Sequence, residues 1–292
     1  MSNIDWHAGF VSAMKLELMA DEKNLEFREE QFLDERKQRF DLLIIKKKRE
    51  VRIRNEIGEI FNKFNIIEYK NPNDILDIGE LHKVLSYTSR YLYERHDYDE
   101  YAADAYTMTL IRDTMPEKLF RQLAGSDMVC TETRHGIYEV TDKLPFRTQI
   151  IVTGRLKEDG HAWLKGLTKD GTKEKVQGII DQTYALDAKH KPLAETVMNV
   201  FTGANMVLMH EIKKEESTMC QAVNELFADE IAELKIQLKE QKVANERALA
   251  KQRANLEAEK NAQIAYLESE KDAQIAYLQA ELQKYKSSPA GH

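Results

Sequence analysis

Two short segments of this chain are apolar on both faces of a strand and carry charged residues at one end. DLLII begins at Asp41, and NIIEYK (65–70) stops at Asn71-Pro72. Successive strand residues point to opposite sides, so a strand with apolar residues at every position has to be covered on both faces. The chain is therefore predicted to build a sheet flanked by helices, which makes it an α/β protein.

Strand and helix patterns alternate through the first half of the chain. An amphipathic helix is predicted from Phe10 to Ala20, a helix capped by Asp77 follows the second apolar strand, and another helix starts after Pro116. Strands are predicted in six segments: 25–33, 41–48, 65–70, 105–113, GIYEV (136–140) and FRTQIIVTG (146–154). Helical segments alone follow from about Asp159. We therefore predict an α/β core over 1–158 and a helical subdomain over 159–206.

The C-terminal part has one continuous helical pattern. No proline or glycine occurs between Val207 and Lys286, and EKNAQIAYLES (259–269) is repeated eleven residues later as EKDAQIAYLQA (270–280). The repeat places Ile264, Leu267, Ile275 and Leu278 on one stripe. A long helix is predicted over 207–286, with a disordered tail over 287–292. The stripe indicates a coiled coil that joins subunits into a homo-oligomer; a solitary helix held by Glu–Lys pairs is the alternative.

Composition narrows the class of protein. The formal net charge of −7 argues against a general polyanion-binding surface, although a local basic patch can function within an acidic protein. Cys130 and Cys220 have no metal-ligand spacing, which favours reduced thiols in a reducing compartment. No window approaches 18 uncharged apolar residues. We expect a soluble cytoplasmic protein without a membrane partner.

The charges at the strand ends are the candidate functional residues. Glu68 and Lys70 share one face of their strand, and pairing of the two apolar strands would bring Asp41 to the same end of the sheet. The Glu-x-Lys spacing recurs elsewhere, for example at Glu35-Lys37, so burial rather than spacing distinguishes this pair. Two adjacent carboxylates suit Mg²⁺, and an ammonium beside them can orient water or offset charge on a phosphate. Phosphodiester hydrolysis is the chemistry that these residues predict.

Three segments resemble the PD-(D/E)XK nuclease-like transposases, a family related to the recombination-promoting nucleases of bacteria. They are RFDLLIIKKK (39–48), IGEIFNKFNIIEYKNPND (57–74) and LHKVLSYTSRY (81–91), within a similarity from about Phe10 to about Asn205. The resemblance implies a restriction-endonuclease-like core, ordered helix, three strands, helix, strand, with a metal-dependent DNA-cleaving site. It implies transposition or DNA recombination as the role.

The resemblance also implies roles for individual residues. Asp41 matches the metal-binding aspartate of the motif, Glu68 its second acid and Lys70 its lysine. Glu17 is the best match for the acid that some members add from the first helix, and Glu22 competes with it. Phe40 stands where the motif has proline, at a position that varies widely in the superfamily.

A basic segment, KKREVRIRNE (47–56), follows the first apolar strand and is predicted to continue as a polar hairpin or an exposed strand. Its cations could take DNA phosphates, whereas a solvated edge protected from aggregation by its lysines is the alternative. The candidate DNA-binding residues are Lys46, Lys47, Lys48, Arg49, Arg52 and Arg54. On the helix after the motif, His82, Lys83 and Tyr87 are weaker candidates.

Two functions follow from the sequence. The first is a Mg²⁺-dependent DNA endonuclease that is oligomerised by its C-terminal helix. The second is a protein of the same fold without cleavage activity, which would act as a DNA- or protein-binding regulator with the coiled coil as its partner surface.

Overall fold

A seven-stranded mixed sheet forms the centre of the computed structural model. The structure describes residues 4–32, 39–48, 50–95, 103–157 and 160–215, together with short helical stretches between 251 and 280. The strands are β1 (Leu25–Phe32), β2 (Arg39–Lys46), β3 (Phe64–Lys70), β4 (Tyr106–Arg112), β5 (Val129–Arg134), β6 (Ile137–Thr141) and β7 (Arg147–Val152).

The strand order in the sheet is β1-β2-β3-β4-β7-β6-β5. The pairs β3/β4 and β4/β7 are parallel, and all the others are antiparallel. The carboxyl ends of the three parallel strands therefore meet at one edge of the sheet, where the antiparallel β2 begins.

Helices cover both faces of this sheet. They are α1 (Trp6–Glu17), α2 (Ile78–Arg95), α3 (Glu117–Ala124), α4 (Ala162–Lys165), α5 (Lys173–Tyr184), α6 (Lys191–Ala204) and α7 (Met206–Glu215). On one face, Leu43 and Ile66 pack with Leu81 of α2 in a continuous buried core. On the other face, the ring of Phe10 in α1 stacks on Tyr69 at 4.6 Å. The prediction of an α/β sheet flanked by helices is confirmed.

Two segments differ from the predicted elements. β5 is a strand that the sequence analysis missed, because its residues are mostly exposed and lack an apolar face, and pairing with β6 holds it instead. The chain after β2 leaves the sheet rather than continuing as a strand, since both edges of β2 are already paired, with β1 and β3. Ile53 then turns inward against Gly58, where a Cβ would lie 2.4 Å from its Cγ2.

The helices predicted as a separate subdomain over 159–206 pack on the core. Both α4 and α6 contact α1, and Met1–Leu226 form one compact unit. The apolar faces of these helices pack against α1 as well as against one another. They cover the side of α1 that faces away from the sheet.

Phe227–His292 form a second unit. Most of the predicted coiled coil, and the tail over 287–292, lie outside the described residues. Among the residues that are described, 274–280 are helical, and the stripe of Ile264, Leu267, Ile275 and Leu278 is exposed in the single chain. None of the described helices is long and apolar enough to span a membrane.

Candidate active site

Asp41 and Glu68 lie opposite each other at the edge where β2 begins and β3 ends. The ladder pairs Leu42 with Ile67 and Leu43 with Ile66, so its next step places Asp41 across from Glu68. Residues directly opposite in an antiparallel pair share a face, with Cβ atoms about 4.5–5.5 Å apart. The backbone N–H of Tyr69 donates a 2.8 Å hydrogen bond to Asp41 Oδ2, which holds this carboxylate against β3.

Glu68 belongs to a closed ring of four ion pairs. Lys70 Nζ lies 3.1 Å from Glu68 Oε1 and 2.6 Å from Glu80 Oε2. Lys83 Nζ contacts the same two oxygens, at 2.5 Å and 3.1 Å. Since Glu80 and Lys83 are three residues apart on α2, they face the end of β3 together. We call Glu68, Lys70, Glu80 and Lys83 the ion-pair ring.

The electrostatics of the ring follow from its burial. The Glu68 side chain is only 5% exposed, and burial together with the neighbouring Asp41 carboxylate raises its pKa, against the opposing effect of the two lysines. Burial alone would lower the pKa of Lys83, but Glu68 and Glu80 hold that pKa above its ordinary value. Burial likewise opposes the ionisation of Glu80, whose pKa is nevertheless lowered by hydrogen bonds from Lys70 and Lys83. The ring therefore keeps Lys83 charged.

His7 lies beside the second oxygen of the Asp41 carboxylate. Its Nδ1 lies 3.4 Å from Asp41 Oδ1, and it comes from the first turns of α1. Neither His7 nor Glu80 could be predicted from the sequence as a site residue, because each reaches the strand ends only through the packing of its helix. Lys83 was a weak candidate, on the ground of its position after the motif. Its Nζ lies 5.8 Å from the ring centroid of Tyr87, whereas His82 is exposed.

The donor set for a metal consists of two carboxylates. Asp41 and Glu68 present oxygens at one sheet edge, and both lysines contact the same Glu68 oxygen, Oε1. The described residues contain no group of three or more His, Cys, Asp or Glu side chains that could hold a metal ion. Two carboxylates could hold a hard cation such as Mg²⁺ only if water or a phosphate supplied its remaining ligands.

Glu17, the predicted third acid, lies elsewhere. Its side chain is 1% exposed, with Oε2 3.0 Å from His161 Nδ1 and Oε1 accepting a 3.2 Å hydrogen bond from the N–H of Leu164. Ten residues of helix separate it from His7, which corresponds to about 15 Å. The chain then enters β1, whose Leu25 pairs with Lys46 at the end of β2 away from Asp41. Glu17 therefore does not join Asp41 and Glu68 as predicted. Its side chain makes buried structural contacts instead.

The competing acid, Glu22, is also away from the site. Both of its oxygens lie 2.8 Å from Lys189 Nζ, and Oε2 lies 3.0 Å from His190 Nε2. These contacts tie the turn after α1 to the start of α6. No acid from the described part of the first helix or its following turn is placed beside Asp41 and Glu68.

The predicted DNA-binding residues lie at the opposite end of β2 from Asp41. Five strand residues separate Asp41 from Lys46, or about 17 Å. Lys46 is buried and its Nζ donates to the carbonyl oxygen of Phe61 at 3.3 Å, so this residue is not available to a phosphate. The other described members, Lys47, Lys48, Arg52 and Arg54, are partly or largely exposed, and Arg49 lies outside the described residues. The basic segment is therefore not beside the candidate active site.

The buried pair of Glu17 and His161 makes a pH-dependent contribution to stability. His161 also has its Nε2 3.1 Å from Glu56 Oε1, and although burial alone would lower its pKa, the two carboxylates raise it above the ordinary value of about 6.5. A raised pKa stabilises the fold fully below the unfolded value, and that stabilisation is lost as the pH rises through the folded value.

We expect the free energy of unfolding of the wild type to decline above about pH 6.5 more steeply than that of His161→Gln, as measured by urea denaturation across pH. The comparison removes the contribution of His190, whose pKa is also raised, because both proteins retain it. Parallel pH curves for the two proteins would show that the pKa of His161 is the same in the folded and the unfolded state and would contradict the prediction.

Comparisons with family models, curated proteins and solved structures give no match for this chain. The geometry of the site residues is therefore the basis for a functional assignment.

Proposed function

We propose that the protein is a Mg²⁺-dependent DNA endonuclease that acts in transposition or DNA recombination. The observation that carries this proposal is the placement of Asp41 opposite Glu68, with Lys70 on the same face of β3. The order α1, β1, β2, β3, α2, β4 also agrees with a restriction-endonuclease-like core, which forms part of the proposal.

Each residue has a role that its contacts support. Asp41 and Glu68 would hold Mg²⁺, and a bound Mg²⁺ polarises a phosphate and lowers the pKa of a coordinated water. Lys70 would orient the attacking water or offset charge that develops on the phosphate. Glu80 positions Lys70 through their 2.6 Å contact, and the N–H of Tyr69 orients Asp41.

The regulator without cleavage activity is the second candidate, and the ion-pair ring favours it. Two lysines compensate the two acids of the ring, so the buried charge of Glu68 is balanced by protein groups alone. A scaffold of this kind would need no cation to tolerate that charge.

Calorimetric titration with Mg²⁺, combined with plasmid cleavage, tests the proposal. An endonuclease should bind Mg²⁺ in the wild type, lose that binding in Glu68→Gln, and convert supercoiled plasmid to nicked or linear forms only with the metal. Absence of both Mg²⁺ binding and cleavage, over a range of metals and salt concentrations, would reject the endonuclease in favour of the regulator.

We further propose that subunits associate through the C-terminal helix. Ile264, Leu267, Ile275 and Leu278 are exposed in the single chain, and burial of this stripe against a second copy would remove apolar area from water. Two copies would present two sites to the two strands of a duplex.

Sedimentation measures this association. We expect a wild-type oligomer that dissociates in the double variant Ile275→Asp, Leu278→Asp, because buried carboxylates are strongly disfavoured. The control is Gln274→Asp, Gln279→Asp, which adds the same charge beside the stripe. A monomeric wild type at micromolar concentration would exclude the coiled coil.

A further inference from the structure

Arg112 lies beside the catalytic lysine proposed above, on the neighbouring strand. The parallel ladder of β3 and β4 pairs Lys70 with Arg112, as it pairs Glu68 with Leu110. Paired residues point to the same face, and neighbouring strands lie about 4.8 Å apart. Charged residues therefore extend across three strands at this edge, from Asp41 through Glu68 and Lys70 to Arg112.

Arg112 differs from the two lysines in forming no close salt bridge with the described residues, although its charge opposes the rise in the pKa of Asp113 that burial causes. Lys70 and Lys83 are both held by Glu68 and Glu80 in the ion-pair ring. The Nε of Arg112 is buried without a hydrogen-bond partner among the described residues. The next residue, Asp113, accepts a hydrogen bond from the N–H of Thr114 at 2.8 Å.

A buried N–H without a partner destabilises a protein unless a ligand or a water molecule accepts its hydrogen bond. A guanidinium presents a planar fork of donors that matches the oxygens of a phosphate. Ligands of α/β sheets commonly bind at the carboxyl ends of parallel strands, which is where β4 ends in Arg112. The unsatisfied donor, the chemistry of the group and its place in the sheet agree on an anionic ligand.

We propose that Arg112 binds a backbone phosphate of the nucleic-acid strand at this site. The choice of a nucleic acid as the source of the phosphate rests on the proposed function. Arg112 is then a substrate-binding residue that the motif does not include, and it serves the site in place of the basic segment after β2. Lys70, already held by Glu68 and Glu80, remains beside the carboxylates.

The test measures binding of a labelled DNA duplex to the full chain in EDTA, where metal-dependent cleavage is suppressed, by fluorescence anisotropy. Salt is varied between about 50 and 200 mM, a range over which phosphate contacts weaken strongly. The variants are Arg112→Gln and Arg112→Lys. The matched control is Arg147→Gln on β7, at the opposite end of the parallel strands, where Arg147 pairs with Glu139 at 2.8 Å.

We expect Arg112→Gln to weaken binding about tenfold and to reduce the slope of log K against log salt by about 0.9, the value for one phosphate contact. Arg112→Lys should keep the slope, because it keeps the charge, but lose affinity with the planar fork. Arg147→Gln should change neither quantity. Thermal melting of all variants verifies that they fold. If Arg112→Gln does not fold, Arg112→Lys still tests the role of the planar fork.

An unchanged affinity and slope in folded Arg112→Gln would overturn the inference, as would a wild type that binds no duplex. Binding of inorganic phosphate at this residue without binding of duplex would reject a nucleic acid as the ligand. Duplex binding that depends on Arg112, in a protein that cleaves nothing with Mg²⁺, would uphold the phosphate site and reject the endonuclease. Mg²⁺-dependent cleavage at the wild-type rate in Arg112→Gln would uphold the endonuclease and reject the phosphate site at Arg112.

Discussion

Substitution of Asp41 by asparagine should reduce Mg²⁺-dependent DNA cleavage by about 10³-fold without unfolding the protein. The change removes one of the two carboxylates that would hold the cation, and a metal ion contributes several kcal/mol to stabilisation of a phosphoryl transition state. A loss of about 4 kcal/mol corresponds to about 10³ in rate. Asparagine retains an oxygen that can accept the hydrogen bond from Tyr69 N–H, so the local structure should persist.

Initial rates of supercoiled plasmid nicking measure this effect, at the same Mg²⁺ concentration for each protein. Asp74→Asn is the matched control, because Asp74 is an exposed acid shortly after β3 and contacts Asn71 Nδ2 at 2.6 Å. Lys70→Ala and Glu68→Gln should resemble Asp41→Asn in the folded protein. Equal rates for the Asp41 and Asp74 variants would contradict a metal-binding role for Asp41.

Substitution of Glu17 by alanine should lower the free energy of unfolding by about 3 kcal/mol, because the buried His161 loses one of its two carboxylate partners and the N–H of Leu164 loses its acceptor. Glu17 contacts His161 Nδ1 at 3.0 Å and accepts from the N–H of Leu164 and, at 3.3 Å, from Asn55 Nδ2. The side chain thus connects α1 to the segment before β3 and to α4. Its loss should weaken the packing of all three segments.

Urea denaturation near pH 6, where His161 is charged, is the appropriate measurement. Glu29→Ala provides the control, because Glu29 pairs with Lys15 in a half-exposed position and should contribute less than about 1 kcal/mol. Nicking by folded Glu17→Ala should remain close to the wild-type rate. Unchanged stability with abolished cleavage would restore Glu17 to the active site and contradict its structural assignment.

Much of the candidate site could be predicted because it depends on local rules. Strand alternation placed Glu68 and Lys70 on one face, and the pairing of two apolar segments brought Asp41 to the same edge. The expectation that both faces of these strands are covered also followed from their composition. These relations involve neighbouring strands and need no knowledge of how distant helices pack.

The remaining site residues depend on tertiary packing. Glu80 and Lys83 approach the end of β3 because α2 crosses this face of the sheet, and Arg112 does so because β4, separated from β3 by that helix, pairs with it in parallel. In the sequence, Arg112 is an arginine at the end of an apolar strand, with no motif around it. The burial of its Nε became visible only in the folded chain.

The sequence by itself determined an α/β sheet covered on both faces, the meeting of Asp41, Glu68 and Lys70, and a repeat with an apolar stripe, because hydrophobic periodicity is a local property. The tertiary structure decided which charges compensate one another. It paired Glu17 with His161 at one end of α1, brought His7 to Asp41 at the other, closed the ion-pair ring and left the Nε of Arg112 without a hydrogen-bond partner among the described residues. The physical reason is that electrostatic partnership depends on distance and burial in space, which spacing along the chain does not report.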